Sequence, residues 1–140
     1  MAQGRPYQAY QNTSVNTSSQ KQLIMMLFDG MTKFTNQAIK AIEEEDFESA
    51  HSGLHRTGKI LLELMSTLRE DKGGEVALNL KKIYLFCYEQ IVISNLKKDV
   101  DLIKEVQGIL GTVSEGFREI AKAGRTTNTA GAPQSIKITG

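Results

Sequence analysis

Between Pro6 and Pro133 no proline interrupts the chain, and along most of that stretch apolar residues recur at steps of three and four, the spacing of one helical face. Four segments carry the pattern. The first opens at Ser19-Gln20-Lys21-Gln22, a capping box in which the Ser19 hydroxyl accepts from the Gln22 backbone while the Gln22 side chain reaches back. Its stripe is Leu23, Leu27, Phe34, Ala38 and Ile42, widened by Ile24, Phe28 and Met31. The acidic run Glu43-Glu44-Glu45-Asp46 predicts a break, because acids favour the positive start of a helix over its end, and Asp46 is the expected N-cap of the second helix. That helix turns Phe47, Ala50, Leu54, Leu61, Leu64, Met65 and Leu68 inward and stops near Arg69, ahead of Asp71-Lys72-Gly73-Gly74. The third, about residues 75 to 95, places Val76, Leu80, Ile83, Tyr84, Cys87 and Ile91 on one face. After a turn at Leu96-Lys97-Lys98, Asp99 caps a fourth helix whose Ile103, Val106, Leu110, Val113, Phe117 and Ile120 form a bundle seam. No strand-like alternation competes over comparable length. Short connections make consecutive helices antiparallel, so the expected fold is all-α, an up-down four-helix bundle over residues 19 to 123.

The two ends break the pattern. Residues 1 to 18 are rich in Gln, Asn, Ser and Thr, with Tyr7, Tyr10 and Val15 as the sizeable apolar groups, and read as an extended arm. Residues 124 to 140 combine glycine and Pro133 with polar residues and read as a disordered tail. Lys plus Arg number 17 against 16 for Asp plus Glu, a net charge of +1, so bulk electrostatics give no reason to expect nucleic acid or an anionic membrane as partner. Neither a signal peptide nor a membrane-spanning run is legible, which makes the cytosol the expected location with no direct membrane insertion. A lone Cys87 allows no internal disulfide and agrees with a reducing compartment.

Catalytic constellations are hard to assemble. Glu48-Ser49-Ala50-His51 has the Glu-x-x-His spacing of di-iron bundles, with His55 one turn further on, but such a site needs the motif twice and both histidines of the chain lie on the second helix. The expectation is therefore no metal, no cofactor and no catalytic residue. Cys87 falls on the core stripe, where a cysteine acts as a small hydrophobe. The pairs Gly73-Gly74 and Gly108-Gly111 lack the preceding strand and following lysine of a phosphate loop.

Apolar surface is in surplus instead. The third helix carries a second stripe, Leu78, Leu85, Tyr88 and Val92, and the fourth adds Leu102 and Ile109 beside its seam. Such a stripe is covered by the chain itself or offered to a partner, and a groove between stripes suits an amphipathic helix laid alongside. Gly108, Gly111 and Gly116 either admit a partner backbone closely or mark a loose helix. Tyr7 and Tyr10, two aromatics in a polar arm, are wasted unless they dock, over the bundle's own groove or on something else.

Several of these residues resemble one family. The arm from Tyr7 to Thr17, the first-helix run from Leu23 to Asp29-Gly30 with Phe34 and Ala38, and Asn95-Leu96-Lys97-Lys98-Asp99 followed by Glu105-Val106 resemble, in order, the flagellin-specific export chaperones of the FliS family. Gln20 stands where that family often has proline, and Phe117 where tryptophan is common. The resemblance implies a cytosolic, non-enzymatic chaperone of flagellar type III secretion. It implies that the disordered C-terminal helical segment of flagellin is bound in apolar grooves, which prevents premature polymerisation. It also implies delivery to the cytoplasmic domain of the export-gate membrane protein, with Tyr7 and Tyr10 of the arm in that docking. Stripe geometry offers Leu85, Tyr88, Val92, Leu102 and Ile109 as the flagellin groove. Two readings stay open beside this one: a metal-binding bundle enzyme centred on Glu48, His51 and His55, and a structural helical module that dimerises, as a weak homodimer, through its second stripe.

Overall fold

The computed structural model describes residues 17–130, which form four helices: α1 Thr17–Glu43, α2 Phe47–Ser66, α3 Glu70–Lys97 and α4 Val100–Ala130. Tyr7 and Tyr10 lie outside the described residues. The local chemistry of the ends explains the boundaries. At the end of α1, Asp46 N–H donates to the Ala41 carbonyl (2.7 Å) and Glu45 N–H to that of Ile42 (2.9 Å), a Schellman closure with Glu45 at a left-handed φ of 61°. Asp46 then caps α2 as the sequence predicts, its carboxylate accepting from Ser49 N–H at 3.2 Å. Asp99 does the same for α4, accepting from Leu102 N–H at 3.2 Å.

Four boundaries differ from expectation. The first helix starts at Thr17, so Ser19 lies inside it and is not its N-cap. The second ends at Ser66, and Thr67 closes it by donating its hydroxyl to the Leu64 carbonyl (2.6 Å). The third begins at Glu70, earlier than the glycine pair suggested, but Gly74 breaks it with φ 58° and ψ −129°, a conformation open to glycine and strained for other residues. The regular part of α3 therefore starts beyond Gly74, close to the expected residue 75. The fourth runs to Ala130, past Gly124 where the tail was expected to begin.

Around the bundle, α1 packs on α2 and α4, and α3 packs on α2 and α4, while among the described residues the diagonal pairs meet only through core side chains. This is the arrangement short antiparallel connections produce. Each helix supplies three residues to the core: Phe28, Met31 and Ala38; Leu54, Leu61 and Leu64; Tyr84, Cys87 and Ile91; Ile103, Val106 and Leu110. Burying a large apolar side chain of this kind contributes roughly 1.5–3 kcal/mol. Phe28 bridges the centre, its ring 6.4 Å from Tyr84 and 5.8 Å from Phe117. Buried hydroxyls satisfy themselves on their own helices: Thr35 donates to Met31 O (2.7 Å), Thr57 to Gly53 O (2.9 Å) and Ser94 to Ile91 O (3.0 Å).

The core stripes are rotated slightly from those expected. On α1 the buried centre is Phe28, Met31, Thr35 and Ala38, and the flanking Leu23, Leu27 and Ile42 are only partly covered. Phe47, Val76 and Ile120, expected inside, are exposed. Each is the first or last member of the stripe expected for its helix.

Candidate binding groove

Two helices leave a seam open. Along α2, the row His51, His55, Gly58 and Leu62 follows the helical steps of four, three and four, and faces Tyr88, Val92 and Asn95 of α3. Between them lies an apolar groove of about 440 Å³, floored by Leu54, Ile91 and the Tyr88 ring, and closed at one end by Leu96 and Lys98. Gly58 sets its depth: a Cβ there would lie 3.3 Å from Tyr88 Cε1. The rims are apolar and open to solvent, with Leu62 48%, Val92 43% and Leu96 82% exposed.

The five residues expected to form one groove divide. Tyr88 and Val92 line it. Leu85 lies one turn before Tyr88 and is exposed, continuing with Leu78 and Phe86 the apolar outer surface of α3. Leu102 and Ile109 are on α4, away from this groove, and Ile109 packs against the core. The missed contributors are Leu62, Leu96 and the α2 row. The signal was the spacing of His51, His55, Gly58 and Leu62 beside the core row Ala50, Leu54 and Leu61, a second face hidden because only one of its four members is a large hydrophobe.

The histidines hold no metal-ligand arrangement with Glu48. Among the described residues no group of three or more His, Cys, Asp and Glu side chains converges. The His51 and His55 rings are stacked, 5.8 Å between centroids and 17° apart, and His51 Nδ1 lies 2.9 Å from Asn95 Nδ2. Burial pushes the Cys87 thiol up to about 11, so it is not the thiolate a nucleophile requires. The glycines of α4 face open space among the described residues: a Cβ at Gly108, Gly111 or Gly116 meets nothing of them within 4 Å, so no close approach within the bundle requires these glycines.

Fold and groove together define the class, an antiparallel four-helix bundle that carries, among the described residues, an open apolar trough between two neighbouring helices. No helix among the described residues is long and apolar enough to cross a membrane. A family model described as Flagellar protein FliS matches residues 1–124. A flagellar secretion chaperone FliS of Campylobacter jejuni is 35% identical over 114 residues, covering 81% of this chain and 89% of that relative. Those of Bacillus subtilis and Salmonella typhimurium are each 32% identical, over 125 and 110 residues, covering 89% and 78% of this chain and 92% and 82% of the relatives. The chain belongs to the FliS family of flagellar secretion chaperones.

Proposed function

We propose that this chain is the cytosolic chaperone of flagellin, binding its disordered C-terminal segment and holding it as helix until export. The observation that carries the reading is the open groove between α2 and α3, in which Tyr88, Val92 and Leu62 present apolar surface with no covering element among the described residues. Contiguous exposed apolar surface marks an interaction site, and a trough between two helices fits an amphipathic helix. The client loses conformational entropy as it orders, and burial of its apolar face offsets that loss. No covalent chemistry enters this mechanism. Covering the segment also denies it to other flagellin molecules, so binding and prevention of assembly are one event.

Leu85 extends the same face along α3, while Leu102 and Ile109 on α4 give a second contact to a client that wraps the bundle. The arm with Tyr7 and Tyr10 is assigned to docking on the cytoplasmic domain of the export-gate membrane protein, or to covering the groove when no client is bound. Replacing Tyr88 and Val92 by aspartate tests the site: a folded double variant is expected to lose the flagellin segment, and unchanged affinity would sink the assignment. Metal analysis after chelation tests the rival enzyme reading, which requires stoichiometric retained iron or zinc.

A further inference from the structure

The groove is apolar along its floor, and the charged groups in its lining are all cationic. Its lining holds Lys59, Lys98, the imidazoles of His51 and His55 and the Asn95 amide, with no Asp or Glu. Lys98 Nζ donates to the Asn95 carbonyl at 2.6 Å and to Asn95 Oδ1 at 2.9 Å. With its oxygen held by that ammonium, Asn95 turns its NH₂ toward His51 Nδ1, 2.9 Å away. His51 Nδ1 then accepts, so the neutral ring carries its proton on Nε2 and has a donor left to offer. An ammonium has three N–H groups and no acceptor, and Lys98 uses two on Asn95.

Among the described residues neither Lys59 nor Lys98 meets a carboxylate. Lys98 also sits at φ 53° and ψ 47°, the left-handed region that favours glycine, so a side chain is kept there against a backbone cost. Donors and positive charge in a groove whose lining holds no acid match a carboxylate, and the partly buried ammonium at an apolar groove is screened less than one in open water.

We propose that this groove selects segments whose apolar face is flanked by carboxylates, read by Lys98 and His51 at the α3–α4 end and by Lys59 farther along α2. From His51 to Leu62 the α2 wall runs ~16 Å at 1.5 Å per residue, about three turns of bound helix, which leaves room for an acid near each end. The inference rests on the reading of this groove as the seat of the flagellin segment. Lys98 also caps α3 through the Asn95 carbonyl, and that role alone would move thermal stability without moving the salt dependence of binding.

The test is calorimetric titration of the full chain with a synthetic C-terminal segment of its own organism's flagellin, at about 50 and about 300 mM NaCl. The Lys59→Glu/Lys98→Glu variant is expected to bind at least ~10-fold more weakly than the parent at low salt, because like charges replace attraction, and to lose the parent's weakening with salt. Lys98→Arg, which keeps the charge, is expected to retain the parent's salt dependence. The same charge change at exposed Lys40 and Lys104, on α1 and α4, is expected to leave affinity unchanged. If the Lys59→Glu/Lys98→Glu variant binds as the parent does while Val92→Asp abolishes binding, carboxylate selection is overturned and the groove reading stands. If Val92→Asp also binds like the parent, the groove reading falls and this inference falls with it.

Discussion

Two seams of the same bundle are built in opposite ways. Between α1 and α4, Gln107 Nε2 donates to Thr35 Oγ1 and Asn36 Oδ1, both at 2.8 Å, Arg118 lies 3.9 Å from Asp29, and Phe117 packs on Phe28. Polar ties cover the apolar contact and finish that surface. Between α2 and α3 the corresponding positions are Leu62, Val92 and Leu96, with Gly58 hollowing the floor under Tyr88. The helical pattern is the same in both seams, but one is tied by side chains that bond across it beside its core contacts, while the other is bonded across at one end, where Asn95 meets His51, and is apolar from Leu62 to Val92. A bundle offers a seat to a helix where one seam is left apolar along most of its length.

The contrast can be broken first at the open seam. Leu62→Asp or Val92→Asp places a charge where a bound helix would bury apolar surface, and each is expected to weaken flagellin-segment binding about 10- to 100-fold, the equivalent of one lost apolar side chain. Far-UV circular dichroism should stay that of the parent, because both side chains are already open to solvent; a collapse of helicity would make them structural. Next in size is Gly53→Ala at the tight α1–α2 contact. A Cβ there would lie 2.8 Å from the Phe34 carbonyl oxygen, backbone that cannot swing aside. Overpacking of this kind costs about 1–3 kcal/mol, read as a lower urea midpoint with client affinity kept.

Smaller still is the closed seam. Gln107→Ala removes the bonds to Thr35 and Asn36 and is expected to cost about 0.5–1.5 kcal/mol of stability, again with client binding intact. At the small end, Gly111→Ala should stabilise by about 0.5–1 kcal/mol, since none of the described residues lies within 4 Å of the new methyl. A loss of client affinity in Gly111→Ala would instead make the bare α4 surface part of the site. The Asp46 cap adds a pH dependence. Its pKa is lowered by the Ser49 side chain and then by the Ser49 backbone amide. The folded value lies below the unfolded one, so this contribution is present at neutral pH and lost as pH falls through the folded pKa. Asp46→Asn should flatten the acid limb of a melting-temperature profile.

Much of the fold was legible because bundle helices declare themselves by period and cap. Asp46 and Asp99 cap as their positions predict, and all twelve central core residues lay on the expected stripes or their widening, Ile103 through Leu110 among them. The errors sit at ends: Phe47, Val76 and Ile120 keep the apolar period as the first or last members of their stripes but are exposed. The site was only half legible. Tyr88 and Val92 were visible as a second stripe, whereas the α2 wall was not, because a groove needs an absence, and Gly58 and two histidines carry no apolar signal. Leu102 and Ile109 shared the periodicity without sharing the seam, since a stripe fixes a face of one helix and leaves its partner open.

The central claim is that the open α2–α3 seam folds a flagellin segment. Calorimetric titration of the full chain with its organism's flagellin C-terminal segment, joined to far-UV circular dichroism of the mixture, tests it most directly. The account predicts a tight equimolar complex whose helicity exceeds the sum of the separate components and whose affinity collapses in Val92→Asp. Absence of binding, or binding with no gain in helicity and no response to Val92→Asp, would contradict it.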